Sequence, residues 1–183
     1  MERYPCMNTV ALRHWSALLV AILVAGCNRA STLPADRVQL KTVTSQELVP
    51  VLRAAGAPVV LVNMWASWCG PCREEFPDLI RLQRQYRDKG LRVVLVSWDG
   101  QAEDARKYLA AQGVDFPSYL KTSDESDQKF IDVIEPRWTG ALPTTFIYDA
   151  QGKLRHLLEG PGTYALFEEK VQDVWHQPKG DKP

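Results

Sequence analysis

The chain has 183 residues, of which 45% are apolar and 24% are charged, as is ordinary for a soluble globular domain with a substantial core. Lysine plus arginine and aspartate plus glutamate both total 22, so no charge excess indicates nucleic acid or an acidic partner. No internal repeat or low-complexity tract is visible in the sequence.

The N-terminal segment has the composition of a secretory signal. Arg13 and His14 precede the apolar run Trp15–Ala25, which ends in small residues. This order of basic, apolar and small residues is typical of an export signal, and the run is too short to cross a hydrocarbon core of about 30 Å as a helix. We predict a signal peptide over residues 1–26, with Met1 or Met7 as the start. A plain cleaved signal or an uncleaved anchor are the alternatives.

The end of this segment, Leu23-Val24-Ala25-Gly26-Cys27, resembles the lipobox of bacterial lipoproteins. The resemblance implies that Cys27 is lipidated and becomes the first residue, which places the protein on the periplasmic side of a bacterial membrane. Asn28 follows where many inner-membrane lipoproteins carry aspartate, so the outer membrane is slightly favoured. Residues 27–37 have linker composition, residues 38–176 are predicted to form the folded domain, and residues 177–183 a frayed tail.

Hydrophobic periodicity predicts alternating strands and helices across the domain. Predicted strands are Val38–Thr42, Val59–Met64, Leu91–Ser97, Phe116–Lys121, Pro143–Tyr148 and Lys153–Glu159. Predicted helices are Thr44–Ala55 with a Thr44/Glu47 capping box, Pro71–Lys89 with a kink at Pro77, Ala102–Gln112, Asp124–Ile134 with Ser123 as cap, and Thr163–His176. This order predicts an α/β fold with a mixed sheet between helical layers.

The motif Cys69-Gly70-Pro71-Cys72 stands where the second predicted strand turns into a helix. A helix N-terminus stabilises a thiolate through unpaired N–H groups and the macrodipole, so Cys69 is the predicted nucleophile and Cys72 the resolving cysteine. Pro71 suits a first helical turn, and Gly70 allows another chain to approach. A structural disulfide or half a zinc site are the alternatives. Zinc takes four ligands and the domain offers only His156 and His176 besides, so no metal or cofactor is predicted.

The redox motif within residues 63–77 and the segment Leu142-Pro143-Thr144-Thr145 resemble the thioredoxin superfamily, and more closely its extracytoplasmic TlpA- and ResA-like branch. The resemblance implies a thioredoxin-like three-layer α/β/α sandwich with an N-terminal extension and a helical insertion over Ala102–Ile134. Two features depart from relatives. Asn63 replaces the buried aspartate of thioredoxin, as is common in the branch, and residues 137–141 lack the usual loop pattern, which bears on substrate choice.

Further site residues follow from spacing and from the resemblance. Glu75 lies three residues after Cys72 on the same helix face; it is either a solvated charge or, as the resemblance implies, the group that handles the cysteine protons. Pro143 either opens a strand or, by resemblance, forms a cis bond that exposes the Leu142 backbone to an added substrate strand. The predicted substrate-binding residues are Trp68, Gly70, Pro71, Leu142, Pro143 and Thr144.

The other tryptophans are divided between core and groove. Trp65 is predicted to be core and Trp68 to be a contact surface. Trp98, Asp99 and Trp138 either line the same groove or pack internally.

The leading hypothesis is a membrane-anchored periplasmic thiol–disulfide oxidoreductase. The Gly-Pro dipeptide matches thioredoxin, whose potential of about −270 mV is strongly reducing. By resemblance, the electron donor is a membrane protein of the DsbD or CcdA type and the client is an extracytoplasmic disulfide protein such as apocytochrome c. The alternatives are a disulfide oxidase or isomerase, a thiol peroxidase, and a copper chaperone or partner-binding module. The sequence lacks an isolated peroxidatic cysteine and the wider cysteine spacing with histidine that chaperones use.

Overall fold

A computed structural model of the chain describes residues 33–53 and 56–176. The predicted signal peptide, Cys27, the linker up to residue 32 and the predicted tail lie outside the described residues. In the ranges that are described, no helix is both long and apolar enough to cross a membrane. Leu33–Arg37, the end of the predicted linker, packs on the domain: the Leu33 N–H donates to the Ala110 carbonyl (3.0 Å).

Six strands and five α-helices form the described part of the chain. The strands are β1 Leu40–Val43, β2 Val59–Trp65, β3 Leu91–Ser97, β4 Ser118–Lys121, β5 Thr144–Asp149 and β6 Leu154–Glu159. The helices are α1 Ser45–Leu52, α2 Gly70–Tyr86, α3 Ala102–Ala111, α4 Asp127–Ile134 and α5 Tyr164–His176, with 3₁₀ turns at Ala35–Arg37 and Arg87–Lys89. The predicted order of elements is therefore confirmed.

The strands form one mixed sheet in the order β1-β4-β3-β2-β5-β6. The first four strands of this order are parallel, whereas β5 and β6 are antiparallel. Parallel strands end at the same edge of a sheet, so β2 and β3 deliver the segments after Trp65 and Ser97 to one place. The redox motif lies in the first of those segments.

Helices cover both faces of the sheet. Every residue of β2 is buried, and its side chains alternate between two core clusters: Val59 and Leu61 belong to one, Val60 and Val62 to the other. The first cluster holds buried side chains of α2, α3 and α5, and the second holds those of α1 and α4. Because helices cover both faces of the sheet, the predicted α/β/α sandwich is confirmed. A central strand in such a sheet is buried on both sides, which explains why β2 is mainly apolar.

Helix α1 begins as the sequence predicts and ends earlier. Thr44 and Glu47 form the capping box: the Thr44 N–H donates to Glu47 Oε2 (2.9 Å) and the Glu47 N–H donates to Thr44 Oγ1 (3.3 Å). The helix ends at Leu52, before the predicted Ala55.

Helix α4 begins three residues later than predicted. Ser126 is its N-cap, and not Ser123. The reason is Glu125, which is buried and accepts hydrogen bonds from the Ser45 N–H (2.7 Å) and the Ser45 hydroxyl (2.8 Å). These bonds hold the segment before α4 against the start of α1, so the helix begins only after Glu125.

The insertion over Ala102–Ile134 is not helical alone. It contains α3, the strand β4 and α4, and β4 lies between β1 and β3 in the sheet. Helix α2 continues through Pro77, and Gly90, with φ of +95°, terminates the 3₁₀ turn that follows it.

Candidate active site

The cysteine pair stands at the start of α2. Cys69 is the N-cap residue, and its sulfur accepts the N–H of Cys72 (3.3 Å). The two residues form a disulfide with their Cα atoms 5.3 Å apart. Cys72 is fully buried and Cys69 is 7% exposed. Because the outer sulfur is the one that faces an N–H donor at a helix N-terminus, Cys69 has the position of a nucleophile and Cys72 that of a resolving thiol.

Asp99 fixes the loop that leads into the motif. Its buried carboxylate accepts the Ser67 N–H (3.1 Å), the Ser67 hydroxyl (2.7 Å) and the Ser97 hydroxyl (2.7 Å). Trp68 follows this anchored residue and is 67% exposed, the one large apolar side chain of the described ranges that faces solvent. The loop thereby presents an aromatic surface beside Cys69, as the sequence predicts.

The remaining tryptophans near the motif pack internally. Trp65 is buried against Phe76 and Tyr108, with ring centroids 4.8 and 5.3 Å away. Trp138 is buried, contacts Trp98 edge-on at 5.1 Å and donates its Nε1–H to the Ala141 carbonyl (3.1 Å). Of the two alternatives for Trp138 and Asp99, the structure therefore favours internal packing.

Glu75 is buried behind the cysteines on α2, with only 2% of its surface exposed. Its Oε1 accepts a hydrogen bond from Asn63 Nδ2 (2.8 Å), and its Oε2 accepts the Gly162 N–H (2.7 Å). Asn63 Nδ2 also donates to Thr145 Oγ1 (3.0 Å). The alternative of a solvated helix charge does not fit this burial.

Burial raises the pKa of Glu75 from 4.5 to about 7, against the lowering effect of the Gly162 N–H and of Asn63. Burial disfavours the charged form, whereas hydrogen bonds to the carboxylate favour it. A carboxyl group with a pKa near neutrality can both take and return a proton at physiological pH. The structure thus gives Glu75 the properties of an acid–base group one helical turn from Cys72.

The peptide bond between Leu142 and Pro143 is cis, as the resemblance implies. Thr144 pairs with Met64, so Pro143 lies opposite the end of β2, and Leu142 packs against the cluster that contains Cys69 and Cys72. Within the described residues, the Leu142 main chain makes no hydrogen bond, while the Pro143 carbonyl is paired with the Gly160 N–H (2.9 Å). An unpaired peptide group is therefore available beside the redox pair.

A protein-family model described as the AhpC/TSA family matches residues 30–157, more than half of the chain. The chain belongs to the AhpC/TSA family. Its thioredoxin-like fold and its cysteine motif confirm the predicted membership in the TlpA- and ResA-like part of the thioredoxin superfamily.

The chain is similar to curated proteins that are named for thiol–disulfide exchange or for likeness to thioredoxin. The chain is 34% identical to the thiol:disulfide interchange protein DsbE of Allochromatium vinosum over 68% of this chain and 64% of that protein. It is 27% identical to the thiol–disulfide oxidoreductase ResA of Bacillus subtilis over 60% and 58%, and 33% identical to the thioredoxin-like protein YneN of the same species over 72% and 73%. The match thus spans less than two thirds of the DsbE and ResA proteins.

A solved structure supports the fold assignment. The thiol:disulfide interchange protein of Chlorobium tepidum TLS, described as a thioredoxin family protein, superposes with a TM-score of 0.58 at 26% identity and covers 68% of this chain and 83% of that chain. The oxidoreductase class predicted from the sequence is confirmed at the level of family, fold and motif.

Five of the six predicted substrate-binding residues are either exposed or buried, and Leu142 is half-buried. Trp68, Gly70 and Pro71 are exposed, and nothing lies within 4 Å of the position that a Gly70 side chain would take. Pro143 and Thr144 are buried, and the Thr144 hydroxyl donates to the Ala141 carbonyl (2.8 Å). This hydrogen bond fixes the main chain of the loop just before the cis-proline.

Three partners of the site were not predicted from the sequence. Asn63 was noted only as a departure from thioredoxin, and its bond to Glu75 was missed, as were the contributions of Thr145 and of the Gly162 main chain. The buried amide at Asn63, in the middle of an apolar strand, is the one signal that indicates a polar partner. The Gly162 donor leaves no trace in the sequence because any residue supplies an N–H.

Proposed function

We propose that this protein is a membrane-anchored periplasmic oxidoreductase that reduces disulfides in extracytoplasmic proteins. The observation that carries the proposal is the Cys69–Cys72 pair at the N-terminus of α2, with Cys72 fully buried and Cys69 7% exposed, next to the unpaired Leu142 main chain. The fold and the names of the relatives agree with this chemistry.

The reduced pair transfers two electrons to a substrate disulfide. The Cys69 thiolate attacks one substrate sulfur, which breaks the substrate disulfide, forms a mixed disulfide and releases the other substrate sulfur as a thiolate that takes up a proton. The Cys72 thiol then loses its proton and attacks Cys69 Sγ, which breaks the mixed disulfide and releases the second substrate sulfur as a thiolate that takes up a proton from solvent. The products are a substrate dithiol and the Cys69–Cys72 disulfide present in the structure.

Glu75 accepts the proton of Cys72 in the second step. It lies one helical turn from Cys72 and away from solvent, where water is a poor proton acceptor. Ionisation of a second group in the same buried region raises the cost of both charges. Transfer of the proton to Glu75 keeps a single negative charge there as Cys72 becomes nucleophilic.

The Leu142 main chain and the exposed face of Trp68 hold the substrate. An extended segment can pair with the free Leu142 peptide group as an added strand, and its side chains contact Trp68. Gly70 leaves the space open that such a chain occupies.

The lipid anchor at Cys27 belongs to the same proposal. The resemblance of residues 23–27 to a lipobox supports an export signal over 1–26 and a tether over the residues that follow. In an oxidising compartment, the Cys69–Cys72 disulfide must be reduced again after each cycle. We therefore infer a membrane dithiol donor of the DsbD or CcdA type. We also infer apocytochrome c as one class of client. The outer membrane stays slightly favoured by Asn28.

The trapping variant Cys72→Ser tests the proposal. It should stop the cycle at the mixed disulfide, so that substrates remain bound to Cys69 and can be identified by mass spectrometry after non-reducing purification. The double variant Cys69→Ser/Cys72→Ser is the matched control and should retain none of them. If the same proteins copurify with both variants, the proposed chemistry is wrong.

The direction of electron flow is decided by the redox potential of the Cys69–Cys72 pair. A value near the thioredoxin figure of about −270 mV supports a reductant, whereas one near the DsbA figure of about −120 mV would make the protein an oxidase. Peroxide consumption that persists in Cys72→Ser would instead indicate a thiol peroxidase. Tight Cu(I) binding without reduction of insulin disulfides would indicate a copper chaperone.

A further inference from the structure

The two ends of the sheet carry opposite charge. We define the redox end as the edge where β2 and β3 finish at Trp65 and Ser97, and the basic end as the edge where they begin at Val59 and Leu91. Helices α1, α2 and α3 follow parallel strands and return to the start of the next, so each begins at the redox end and finishes at the basic end.

Exposed cations gather at the basic end. They follow α1, close α2 and its 3₁₀ turn, open β3 and occupy the β5–β6 turn: Arg53, Arg84, Arg87, Lys89, Arg92 and Lys153. The carboxylates among them are fewer. Asp88 pairs loosely with Arg87 (3.6 Å), Asp115 is exposed after α3, and Asp149 is half-buried beside Arg155 (3.6 Å). On α5, Glu168 accepts a hydrogen bond from the Tyr86 hydroxyl at the end of α2, and Asp173 is bonded to His156 (2.7 Å). The basic end therefore carries a net positive charge.

Exposed carboxylates dominate the redox end. They lie in the first turns of α1, α3 and α4, in the second turn of α2 and in the loop before α4: Glu47, Glu74, Glu103, Asp104, Asp124 and Asp127. Lysines pair with two of them, Lys121 with Asp127 (2.8 Å) and Lys107 with Glu103 (3.6 Å), and the cations Lys41, Arg73 and Lys129 oppose the others in part. Carboxylates at helix starts and cations at helix ends each favour their own helix, and because the helices align, the charges add up to opposite poles. The formal net charge of zero conceals this separation.

The chain enters the domain at the basic end. Leu33 is bonded through its N–H to Ala110, near the end of α3 (3.0 Å). It lines an open groove of about 420 Å³ together with Arg84, Arg87, Gly113 and Asp115. Cys27 precedes Leu33 by six residues, and a chain of that length spans at most about 20 Å. A lipid on Cys27 would hold the basic end, and not the redox end, close to the membrane.

Resting on the lipid anchor at Cys27, we propose that the basic end binds the anionic phospholipid headgroups of the membrane that holds the anchor. Each arginine at such a surface favours contact by about fivefold, and the attraction extends only about 8 Å at physiological salt, so the tether is what brings the charges into range. Helix α2 has 17 residues and is therefore about 25 Å long. It holds the Cys69–Cys72 pair away from the headgroups, facing the solvent.

Hydrogen–deuterium exchange on the full-length protein, purified from membranes, tests this orientation. The protein is reconstituted into vesicles of phosphatidylcholine alone and of phosphatidylcholine with phosphatidylglycerol. We expect the amides of residues 81–90 and 110–115 to exchange severalfold more slowly on the anionic vesicles, and this protection to disappear at high salt. Residues 66–72 should exchange equally on both.

Charge variants separate electrostatic contact from a change in folding. Arg84→Gln/Arg87→Gln should lose most of the protection, and Arg84→Lys/Arg87→Lys should keep it. The matched control Lys41→Gln/Lys129→Gln removes the same charge near the redox end and should behave like the parent.

Three kinds of result would overturn different statements. A purified protein whose mass shows no lipid on Cys27 overturns the anchor and this orientation with it, while insulin reduction still reports the redox function. A lipidated protein that exchanges equally on both vesicles, or is protected at the redox end, overturns the contact of the basic end alone. Protection that appears only when other membrane proteins are present would show that a protein partner, and not lipid, covers this end.

Discussion

Glu75 is an acid kept where its charge is costly. Its surface is almost fully buried, and only Asn63 and the Gly162 N–H stabilise its carboxylate. A residue selected for stability alone would be neutral at this position. The cost is consistent with a proton-handling role, because the same burial that weakens the fold raises the pKa of Glu75 to about 7.

The pKa of Glu75 predicts how the stability of the oxidised protein depends on pH. Burial raises this pKa to about 7 in the folded state, so between about pH 4.5 and 7 the folded chain holds a proton that the unfolded chain has lost. The free energy of unfolding should therefore fall as pH rises through this window, by up to about 3 kcal/mol. Glu75→Gln should flatten this dependence in denaturant titrations at pH 5 and pH 8. Equal slopes for both proteins would contradict the assignment.

Asn63 affects the pKa of the Glu75 carboxyl group. Its Nδ2 donates to Glu75, which lowers the Glu75 pKa, while its Oδ1 has no partner among the described residues. A half-turn of the amide would bring Oδ1 to face a protonated Glu75, so that Asn63 can serve both protonation states. This is a reason for an amide, rather than a second acid, at this position of β2.

Replacement of Asn63 should shift the pH dependence of the reaction. We expect Asn63→Ala to raise the Glu75 pKa, because a hydrogen bond to the carboxylate is lost, and to move the pH–rate profile for disulfide reduction upward. The effect should vanish in the Glu75→Gln background. A profile that shifts equally in that background would show that Asn63 acts on the cysteines and not through Glu75.

The site residues that lie close together in the sequence were predictable, whereas those supplied by distant segments were not. Cys69 and Cys72 were predicted from their spacing at a helix start, which local geometry determines. Spacing placed Glu75 on the same helix face, but its proton-handling role came from the resemblance and not from the spacing. The Gly162 donor comes from a loop 87 residues further along the chain, and a main-chain group carries no residue-type signal. Trp68 was predicted to be exposed because it borders the motif, whereas the burial of Trp138 depends on Trp98 and Phe146 from other elements.

At the scale of elements, the segment before α5 supports the site. The Gly162 N–H bonds to Glu75 and the Tyr164 N–H bonds to Asp78 (2.8 Å), so the start of α5 is held along the side of α2. Phe167 packs over Gly162 so closely that a Cβ there would lie 2.3 Å from the ring. Glycine is required here by packing.

Gly162→Ala should therefore disturb both the loop and Glu75. Phe167 or the loop must move, and we expect a loss of about 2–4 kcal/mol in unfolding free energy, from overpacking and from a weakened bond to the carboxylate. The pKa of Glu75 should rise as its donor retreats. Gly100→Ala is the matched control because nothing lies within 4 Å of its Cβ position. Similar losses in both variants would argue against a specific contact.

Elements were predicted to within a few residues where their burial is uniform. β3 has its predicted bounds because, apart from the exposed Arg92, all its residues from Leu91 to Ser97 are buried. The predicted start of α4 was wrong because Glu125 is hydrogen-bonded to Ser45, which lies 80 residues away in the sequence. The place of β4 between β1 and β3 was not predictable, because periodicity indicates that a segment is a strand and not which strand it joins.

At the scale of the whole molecule, the charge separation predicts a substrate preference. Carboxylates around the redox end should attract cationic disulfide peptides and repel anionic ones. We expect a cationic peptide to be reduced faster than its anionic counterpart at low ionic strength, with the difference shrinking as the Debye length falls to about 10 Å at 0.1 M salt.

One double variant tests whether the carboxylates at the redox end cause this preference for cationic peptides. Glu103→Gln/Asp104→Asn should narrow the difference between the two peptides without altering the redox potential. If the two peptides are reduced at the same rate at low salt, the acidic residues have no part in substrate encounter.

The small size of the disulfide ring has a consequence for the energetics of the cycle. The bridged residues are three apart in sequence, and closing so short a ring restricts the unfolded chain by only about 2 kcal/mol. The bridge therefore does little as a cross-link, and any further difference in stability between the oxidised and reduced proteins reflects the surroundings of the sulfurs. Through a thermodynamic cycle, each 1.4 kcal/mol of that difference is worth about 30 mV. Paired unfolding curves of the two redox forms thus measure how far the fold moves the potential from that of the unfolded peptide.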